Sequence, residues 1–212
     1  MPKVACSTIK ATLQKLEFAS AGIDRTPQGK IHNKKQSPLL SISDIGLERF
    51  LELLNDRAFF KFCFVRNPYS RALSAYLNKI DIQKEKRKKF LKNLEIEGSG
   101  QVSFREFLES VEKQNPFDMN PHWKLQTYLL GWGIIEYDFV GRLENFDRDF
   151  TTVLQKIQGS SEDSELKIES RMEHSTKASS KIQKFYDRAL QELAFNIYES
   201  DFKNLNYSPE IL

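Results

Sequence analysis

The residues Phe59–Val65 (FFKFCFV) form an almost unbroken apolar run of strand length. Such a run, without polar alternation, is typical of a strand that is buried on both faces, as in a parallel sheet. Asn67-Pro68 follows, and proline fits the first turn of a helix because the N–H it lacks has no helical partner there. The segment therefore predicts a buried strand that delivers Arg66 to its carboxyl end, and then a helix.

Further elements are predicted from periodicity and capping residues. A second short strand is expected at Tyr137–Gly141, and helices are expected at Thr8–Ser20, from Ser43 and Asp44 to about Asp56, from Ser103 with Glu106 in a capping box, at Glu144–Ile157 and at Lys177–Ser200. Strands that alternate with helices indicate the α/β class with a small, mostly parallel sheet. A length of 212 residues fits a single domain over residues 1–212.

Composition excludes several classes of protein. Aromatic residues make up 12% of the chain, which favours a folded protein, and a net charge of +3 is too small to imply nucleic-acid binding. No apolar run approaches the ~20 residues of a membrane span, and the N-terminus resembles no signal peptide, so we expect a soluble, non-secreted chain. Two cysteines are too few for a disulfide framework or a cysteine-built zinc site.

Basic residues are concentrated in the segment 79–92, which holds seven basic and two acidic side chains. The part from Lys84 to Lys92 is interpreted as a solvated helix face, and the alternative is a positive rim that attracts an anionic substrate or partner. An RNA-binding surface is disfavoured because few aromatic residues are interleaved with the charges.

The N-terminal segment Pro2–Lys10 (PKVACSTIK) combines small residues, hydroxyls and lysines at the start of a predicted helix. Small residues let the backbone approach a ligand, and the free N–H groups of a helix start attract anions. The alternative is an ordinary N-capped helix. The segment lacks the Walker A pattern, which disfavours a P-loop kinase.

Arg66 and Ser74 form a second candidate site. Ligands of open α/β sheets bind at the carboxyl ends of strands, where Arg66 is expected. Its planar guanidinium can bind a phosphate while Ser74, about two helical turns along, donates one more hydrogen bond. The alternative is a surface arginine and a serine that packs between helices.

A third group of residues, Asn120–Gln126 (NPHWKLQ), is ambiguous by chemistry alone. On chemistry alone, a histidine such as His122 is more often a structural residue than a catalyst, and a tryptophan such as Trp123 is more often part of the core.

Together these motifs resemble the family 2 sulfotransferases, the carbohydrate sulfotransferases that include the chondroitin, dermatan and HNK-1 enzymes. The matching segments are PKVACSTIK, FKFCFVRNPYSRALSAYLNKI, NPHWKLQ, YDFVGRLENFDRDF and IYESDFKNLNYS. They run in family order from Pro2 to Tyr207, and the combination is more specific than any one of them.

The resemblance implies a P-loop NTPase-like sulfotransferase fold and a reaction. The donor would be 3′-phosphoadenosine 5′-phosphosulfate, without a metal, and the acceptor a hydroxyl of a glycan or another molecule. Arg66 and Ser74 would hold the 3′-phosphate, and Ser175 and Lys177 would belong to a loop that closes on the nucleotide. The 5′-phosphosulfate loop would consist of Lys3, Val4, Ala5, Cys6, Ser7 and Thr8.

The resemblance also implies catalytic roles. Lys3 would stabilise the bridging oxygen and the sulfuryl group, and His32 would be the general base because relatives carry a loop histidine in this interval. His122 is the alternative base, and His122 and Trp123 are candidate acceptor contacts. The acceptor and the oligomeric state stay open.

One departure concerns the start of the chain, where relatives have an apolar strand before the Pro-Lys pair. We therefore expect that the first strand is missing and that the true start lies upstream, or that the chain is trimmed. Two hypotheses remain beside the enzyme: a catalytically inactive or truncated nucleotide-binding module of the same fold, and a kinase. A cytoplasmic bacterial enzyme is the expected setting, with the Golgi membrane as the alternative for a eukaryotic fragment without its anchor.

Overall fold

The computed structural model describes residues 1–23, 31, 33, 36–81, 101–158 and 177–211. His32, Ser175 and most of the basic segment 79–92 lie outside the described residues. The described chain forms two compact units, a first unit built from 1–4, 65–81, 101–134 and 177–211 and a second from 5–23, 31, 33, 36–64 and 135–158. The single domain expected over residues 1–212 stays a prediction.

The described residues contain the following helices and strands, in chain order: α1 Cys6–Ser20, α2 Ile42–Ile45, α3 Leu47–Asn55, β1 Phe62–Val65, α4 Pro68–Tyr76, α5 Phe104–Glu112, α6 Gln126–Leu130, β2 Phe139–Arg142, α7 Phe146–Gln158, α8 Ile182–Phe185 and α9 Arg188–Asn204. A π-helical turn at Leu77–Asp81 extends α4, and 3₁₀ turns at Leu143–Asn145 and Ser179–Lys181 precede α7 and α8.

The sheet of the described residues has two strands, β1 and β2. Lys61 and Asp138 each directly precede a strand, and they bond to each other. The Lys61 N–H donates to Asp138 Oδ2 at 2.7 Å, and the Asp138 N–H donates to the Lys61 carbonyl at 2.8 Å. Two strands that start side by side run in the same direction, so the sheet is parallel. The α/β class with a small parallel sheet is confirmed, and the missing first strand stays a prediction.

The first unit is built around α9, which packs against α4, α5 and α6. Its core is rich in aromatic rings, and Tyr69, Phe107 and Tyr198 are at most 1% exposed. Ser103 and Glu106 form the predicted capping box at the start of α5, with the Ser103 N–H donating to Glu106 Oε2 at 2.7 Å.

The second unit places α7 against β2. The Phe64 ring of β1 lies with its centroid 5.5 Å from that of Phe146 and 5.9 Å from that of Phe150. Gly141 in β2 makes room for this ring, because a Cβ atom there would lie 2.5 Å from Phe64 Cε1. The glycine of the segment YDFVGR is therefore required by packing.

Two predicted helix boundaries are wrong. Ser41, rather than Ser43 or Asp44, caps the first of two helices: its N–H donates to Asp44 Oδ2 at 2.7 Å, and Gly46 separates α2 from α3. The continuous helix expected from Lys177 is interrupted before α9, because Asp187 is extended and its side chain accepts from the Leu190 N–H at 2.7 Å. Local capping thus overrides an unbroken hydrophobic periodicity.

Candidate functional site

Arg66 follows directly on β1, as the sequence predicts, and is 7% exposed. Three neutral oxygen atoms of the first unit accept hydrogen bonds from its guanidinium. Nε donates to Ser70 Oγ at 2.8 Å, one Nη donates to the Lys3 carbonyl at 3.3 Å, and the other donates to Ser179 Oγ at 3.4 Å. Arg66 is therefore a buried, oriented cation and not a surface arginine.

The turn after β1 orients the partner of Arg66. Asn67 caps α4 by accepting from the Ser70 N–H at 3.3 Å, and Pro68 occupies the first helical position. Ser70 Oγ donates to the Asn67 carbonyl at 3.1 Å, so its lone pairs remain available to the Arg66 Nε–H. Sequence reasoning missed Ser70, although its spacing of four residues from Arg66 across a capped helix start was the available indication.

Ser74 lies one helical turn beyond Ser70 in α4 and is 3% exposed. Its burial agrees with either a packing role or a contact to a buried phosphate. That Ser74 and Arg66 bind one phosphate stays a prediction.

The main chain of Arg66 is held by Gln126, which is fully buried. Gln126 Oε1 accepts from the Arg66 N–H at 2.9 Å, and Gln126 Nε2 donates to the Arg66 carbonyl at 2.8 Å. One side-chain amide thus satisfies both peptide groups of Arg66.

A buried carboxylate supports this arrangement. Asp201 of α9 accepts from the Gln126 N–H at 2.8 Å, from the Thr127 N–H at 2.9 Å and from the Thr127 hydroxyl at 3.0 Å. Burial raises the pKa of the Asp201 carboxyl, while these hydrogen bonds and the positive charge of Arg71 act in the opposite direction.

Arg71 is 1% exposed and bonds to the segment Asn120–Gln126. Its two Nη atoms donate to the Lys124 carbonyl at 2.7 Å and the Pro121 carbonyl at 3.1 Å. Desolvation lowers the pKa of the Arg71 guanidinium, and the negative charge of Asp201 opposes that shift. Arg71 ties the segment Asn120–Gln126 to α4, and through Gln126 the same segment reaches Arg66.

The two candidate acceptor residues of this segment differ in exposure. Trp123 is a core residue, 7% exposed, and its indole N–H donates to Gln114 Oε1 at 3.0 Å. His122 is half-buried, and its Nδ1 lies 2.7 Å from Asn120 Oδ1. Their roles in acceptor binding stay predictions.

The predicted phosphosulfate segment has an unusual backbone. Lys3 in the first unit and Ala5 in the second have positive φ angles of 69° and 57°, which cost energy for residues other than glycine. Ala5 is the N-cap of α1 and provides no side-chain cap, and the first turn of α1 holds no acidic residue. This helix start, which includes Ser7 and Thr8, has the polarity that an anion requires.

The remaining members of the predicted segment are Val4, which is 1% exposed, and Cys6, which is half-buried. Lys177, from the predicted closing loop, is exposed and has a φ of 48°; it lies two residues before Ser179. Within the described ranges no cluster of three or more His, Cys, Asp or Glu side chains could hold a metal ion. Independence from metal stays a prediction.

Comparison with known proteins identifies the family to which this α/β chain belongs. The profile described as "Sulfotransferase family" matches residues 1–208, so the chain belongs to that family. The resemblance seen in the sequence motifs is thereby confirmed.

Three curated relatives illustrate the similarity. Carbohydrate sulfotransferase 14 of Danio rerio is 34% identical over 169 residues, which is 74% of this chain and 44% of the relative. Carbohydrate sulfotransferase 9 of Homo sapiens is 26% identical over 230 residues, or 100% of this chain and 51% of the relative. Carbohydrate sulfotransferase 11 of Mus musculus is 27% identical, with 98% of this chain and 63% of the relative covered.

The chain spans about half the length of the curated relatives it matches. No solved structure matches it significantly. These relatives come from vertebrates, so they do not support the expected bacterial cytoplasmic setting. Among the helices of the described residues, none has the length and apolar character needed to cross a bilayer.

Proposed function

We propose that the protein transfers a sulfuryl group from 3′-phosphoadenosine 5′-phosphosulfate to a hydroxyl of a carbohydrate. The observation that carries this proposal is the buried, oriented guanidinium of Arg66 at the carboxyl end of β1, in a chain that belongs to the sulfotransferase family. A buried cation with directed N–H groups suits a phosphate, because charge-assisted, bidentate hydrogen bonds are the strongest available.

The proposal assigns the two ends of the nucleotide to two groups of residues. Arg66 and Ser74 bind the 3′-phosphate. The segment from Lys3 to Thr8 binds the 5′-phosphosulfate through the positive end of α1, and the left-handed backbone at Lys3 and Ala5 supports this because such strain persists where function requires it. Ser175 and Lys177 belong to the segment that closes on the nucleotide.

The chemistry requires in-line transfer. The acceptor oxygen attacks the sulfur, the bond between sulfur and the bridging phosphate oxygen breaks, and 3′-phosphoadenosine 5′-phosphate leaves with the electron pair. Lys3 neutralises the charge that develops on the bridging oxygen, and N–H groups at Cys6 to Thr8 stabilise the sulfuryl oxygens. His32 takes the acceptor proton as general base, and His122 is the second candidate for that role.

The test is transfer of radiolabelled sulfate from the donor to a panel of desulfated glycans, including chondroitin and dermatan. The name of the relatives, carbohydrate sulfotransferase, supports a carbohydrate acceptor, and the resemblance of the motifs to the chondroitin and dermatan enzymes is the reason to include these two glycans. We expect a labelled glycan, and the His32→Ala variant should lose roughly 10²–10⁴-fold in rate while it binds the nucleotide normally. If His32→Ala keeps its rate within a few-fold, His122→Ala should show the loss instead.

An inactive nucleotide-binding module is the second candidate function. It is favoured if the wild-type chain binds 3′-phosphoadenosine 5′-phosphate tightly but labels no glycan of the panel. For the compartment, the vertebrate relatives favour a Golgi setting over a bacterial cytosol.

A further inference from the structure

The side-chain amide of Gln126 makes two hydrogen bonds to the peptide groups of Arg66, at 2.9 Å and 2.8 Å. We propose that Gln126 is the positioning residue that sets the direction of the Arg66 side chain and thereby the preference for a 3′-phosphorylated nucleotide. This inference rests on the proposed function, and it concerns a residue for which neither the motif reasoning nor the family resemblance supplied a role.

The need for such a residue follows from where β1 ends. Val65 is the last residue of β1, so Arg66 lies past the end of the strand. Arg66 is also buried, and a buried N–H or carbonyl without a partner costs free energy. The Gln126 amide supplies one donor and one acceptor, the pair of groups that a neighbouring strand would offer, and fixes the peptide planes on both sides of the Arg66 Cα.

Gln126 can fix Arg66 because its own position is determined. It is the first residue of α6, and its side chain is 0% exposed. The N-cap of α6 is Leu125, which has no side-chain acceptor. Asp201 of α9 takes over the capping role by accepting from the Gln126 and Thr127 N–H groups at 2.8 Å and 2.9 Å. The position of Arg66 is therefore anchored through Gln126 to α9.

The main chain and the guanidinium of Arg66 are held by different partners. Gln126 holds the main chain, and Ser70 holds Nε at 2.8 Å. The Nη bonds to Lys3 and Ser179 are longer, at 3.3 Å and 3.4 Å. A phosphate can replace such long contacts with shorter, charge-assisted ones, provided that the guanidinium already has the correct direction. Loss of Gln126 should therefore weaken recognition of the 3′-phosphate and leave the rest of the nucleotide unaffected.

The experiment measures the affinity of the full chain for 3′-phosphoadenosine 5′-phosphate and for AMP, which lacks the 3′-phosphate, by isothermal titration. Where AMP binds too weakly for direct titration, its affinity is measured by competition with the tighter ligand. Gln126→Leu has a similar size but neither donor nor acceptor. We expect its affinity for the 3′-phosphorylated nucleotide to fall about 10-fold or more, with AMP affinity within about two-fold of wild type.

Two further variants make the result specific. Gln126→Met keeps the length of the side chain but has no amide, so we expect the same loss as in Gln126→Leu, and it serves if Gln126→Leu does not fold. Tyr76→Phe is the matched control, since it removes the buried hydrogen bond from Tyr76 to the Val102 carbonyl, 2.7 Å long, in the same unit. This control should lose stability but keep the wild-type preference.

The outcomes separate this inference from the proposed function. The positioning role would be overturned if both Gln126 variants kept the wild-type ratio of affinities for 3′-phosphoadenosine 5′-phosphate and AMP, or if both nucleotides lost affinity equally. In either case, binding by the wild-type chain would still support the proposed function. A wild-type chain that does not prefer the 3′-phosphorylated nucleotide over AMP would instead overturn the function itself.

Discussion

Replacement of Arg66 by alanine tests the assignment of the 3′-phosphate pocket. Arg66 is buried, and its Nε is fixed by a 2.8 Å bond to Ser70, so little reorganisation is needed when a phosphate arrives. Loss of a charge-assisted contact typically costs ~1.5–3 kcal/mol, or roughly 10- to 150-fold in affinity. We expect that loss for 3′-phosphoadenosine 5′-phosphate and unchanged weak binding of AMP.

The Arg66→Lys variant separates charge from geometry. Lysine keeps one positive charge, but a single ammonium group cannot bond Ser70 and also present two parallel N–H groups to a phosphate. We therefore expect only partial recovery of affinity. Arg188→Ala is a suitable control, because the Arg188 side chain is 94% exposed and pairs with Glu192 on the same surface of α9; it removes an arginine charge without a change at Arg66.

The assay is isothermal titration of wild type and the three variants with both nucleotides, after circular dichroism has shown that each variant is folded. The reasoning is refuted if Arg66→Ala weakens both nucleotides equally. That result would mean that Arg66 supports the fold or another part of the ligand.

Three other predictions concern stability and reactivity. Gly141→Ala should lower the free energy of unfolding by roughly 1–3 kcal/mol in urea titration, because the new Cβ would lie 2.5 Å from the Phe64 ring; an unchanged midpoint would contradict this. At pH 8 a thiol reagent should modify Cys6, which is half-buried, before Cys63, because burial raises the pKa of Cys63 to about 12; fast loss of both thiols would contradict it. Burial also raises the pKa of Tyr69 from 10.0 to about 12, so ionisation of this side chain favours the unfolded state. The free energy of unfolding should therefore fall as the pH rises from 10 to 12. This fall should be smaller in Tyr69→Phe, and an equal fall in the variant and the wild type would contradict the assignment.

Features fixed by neighbouring residues could be predicted from the sequence. The apolar run before Arg66 predicts the buried strand β1, and Asn67-Pro68 predicts the start of α4. Both predictions succeed because strand burial and helix capping depend on residues that are adjacent in sequence. The strand is shorter than predicted: it begins at Phe62, and Phe59 is 45% exposed.

Features fixed by contacts between distant residues could not be predicted. Gln126 lies 60 positions from Arg66 and 75 positions from Asp201 in sequence, so no local pattern indicates that Gln126 bonds to the main chain of Arg66 or that Asp201 bonds to the main chain of Gln126. The sequence did not predict the break before α9, because the apolar residues on both sides of Asp187 have helical spacing. There the capping bond of one side chain outweighs periodicity, and sequence patterns do not rank these two effects.

The most direct test of the central claim is the melting temperature of the wild-type chain with 3′-phosphoadenosine 5′-phosphate, AMP or ATP. A ligand at one hundred times its dissociation constant stabilises a fold by ~2.7 kcal/mol, which corresponds to roughly 5–11 °C for a domain of this size. We expect a rise of this order with the 3′-phosphorylated nucleotide and a much smaller one with AMP or ATP at the same concentration. A saturating titration without any rise, or a larger rise with ATP and magnesium, would contradict the account.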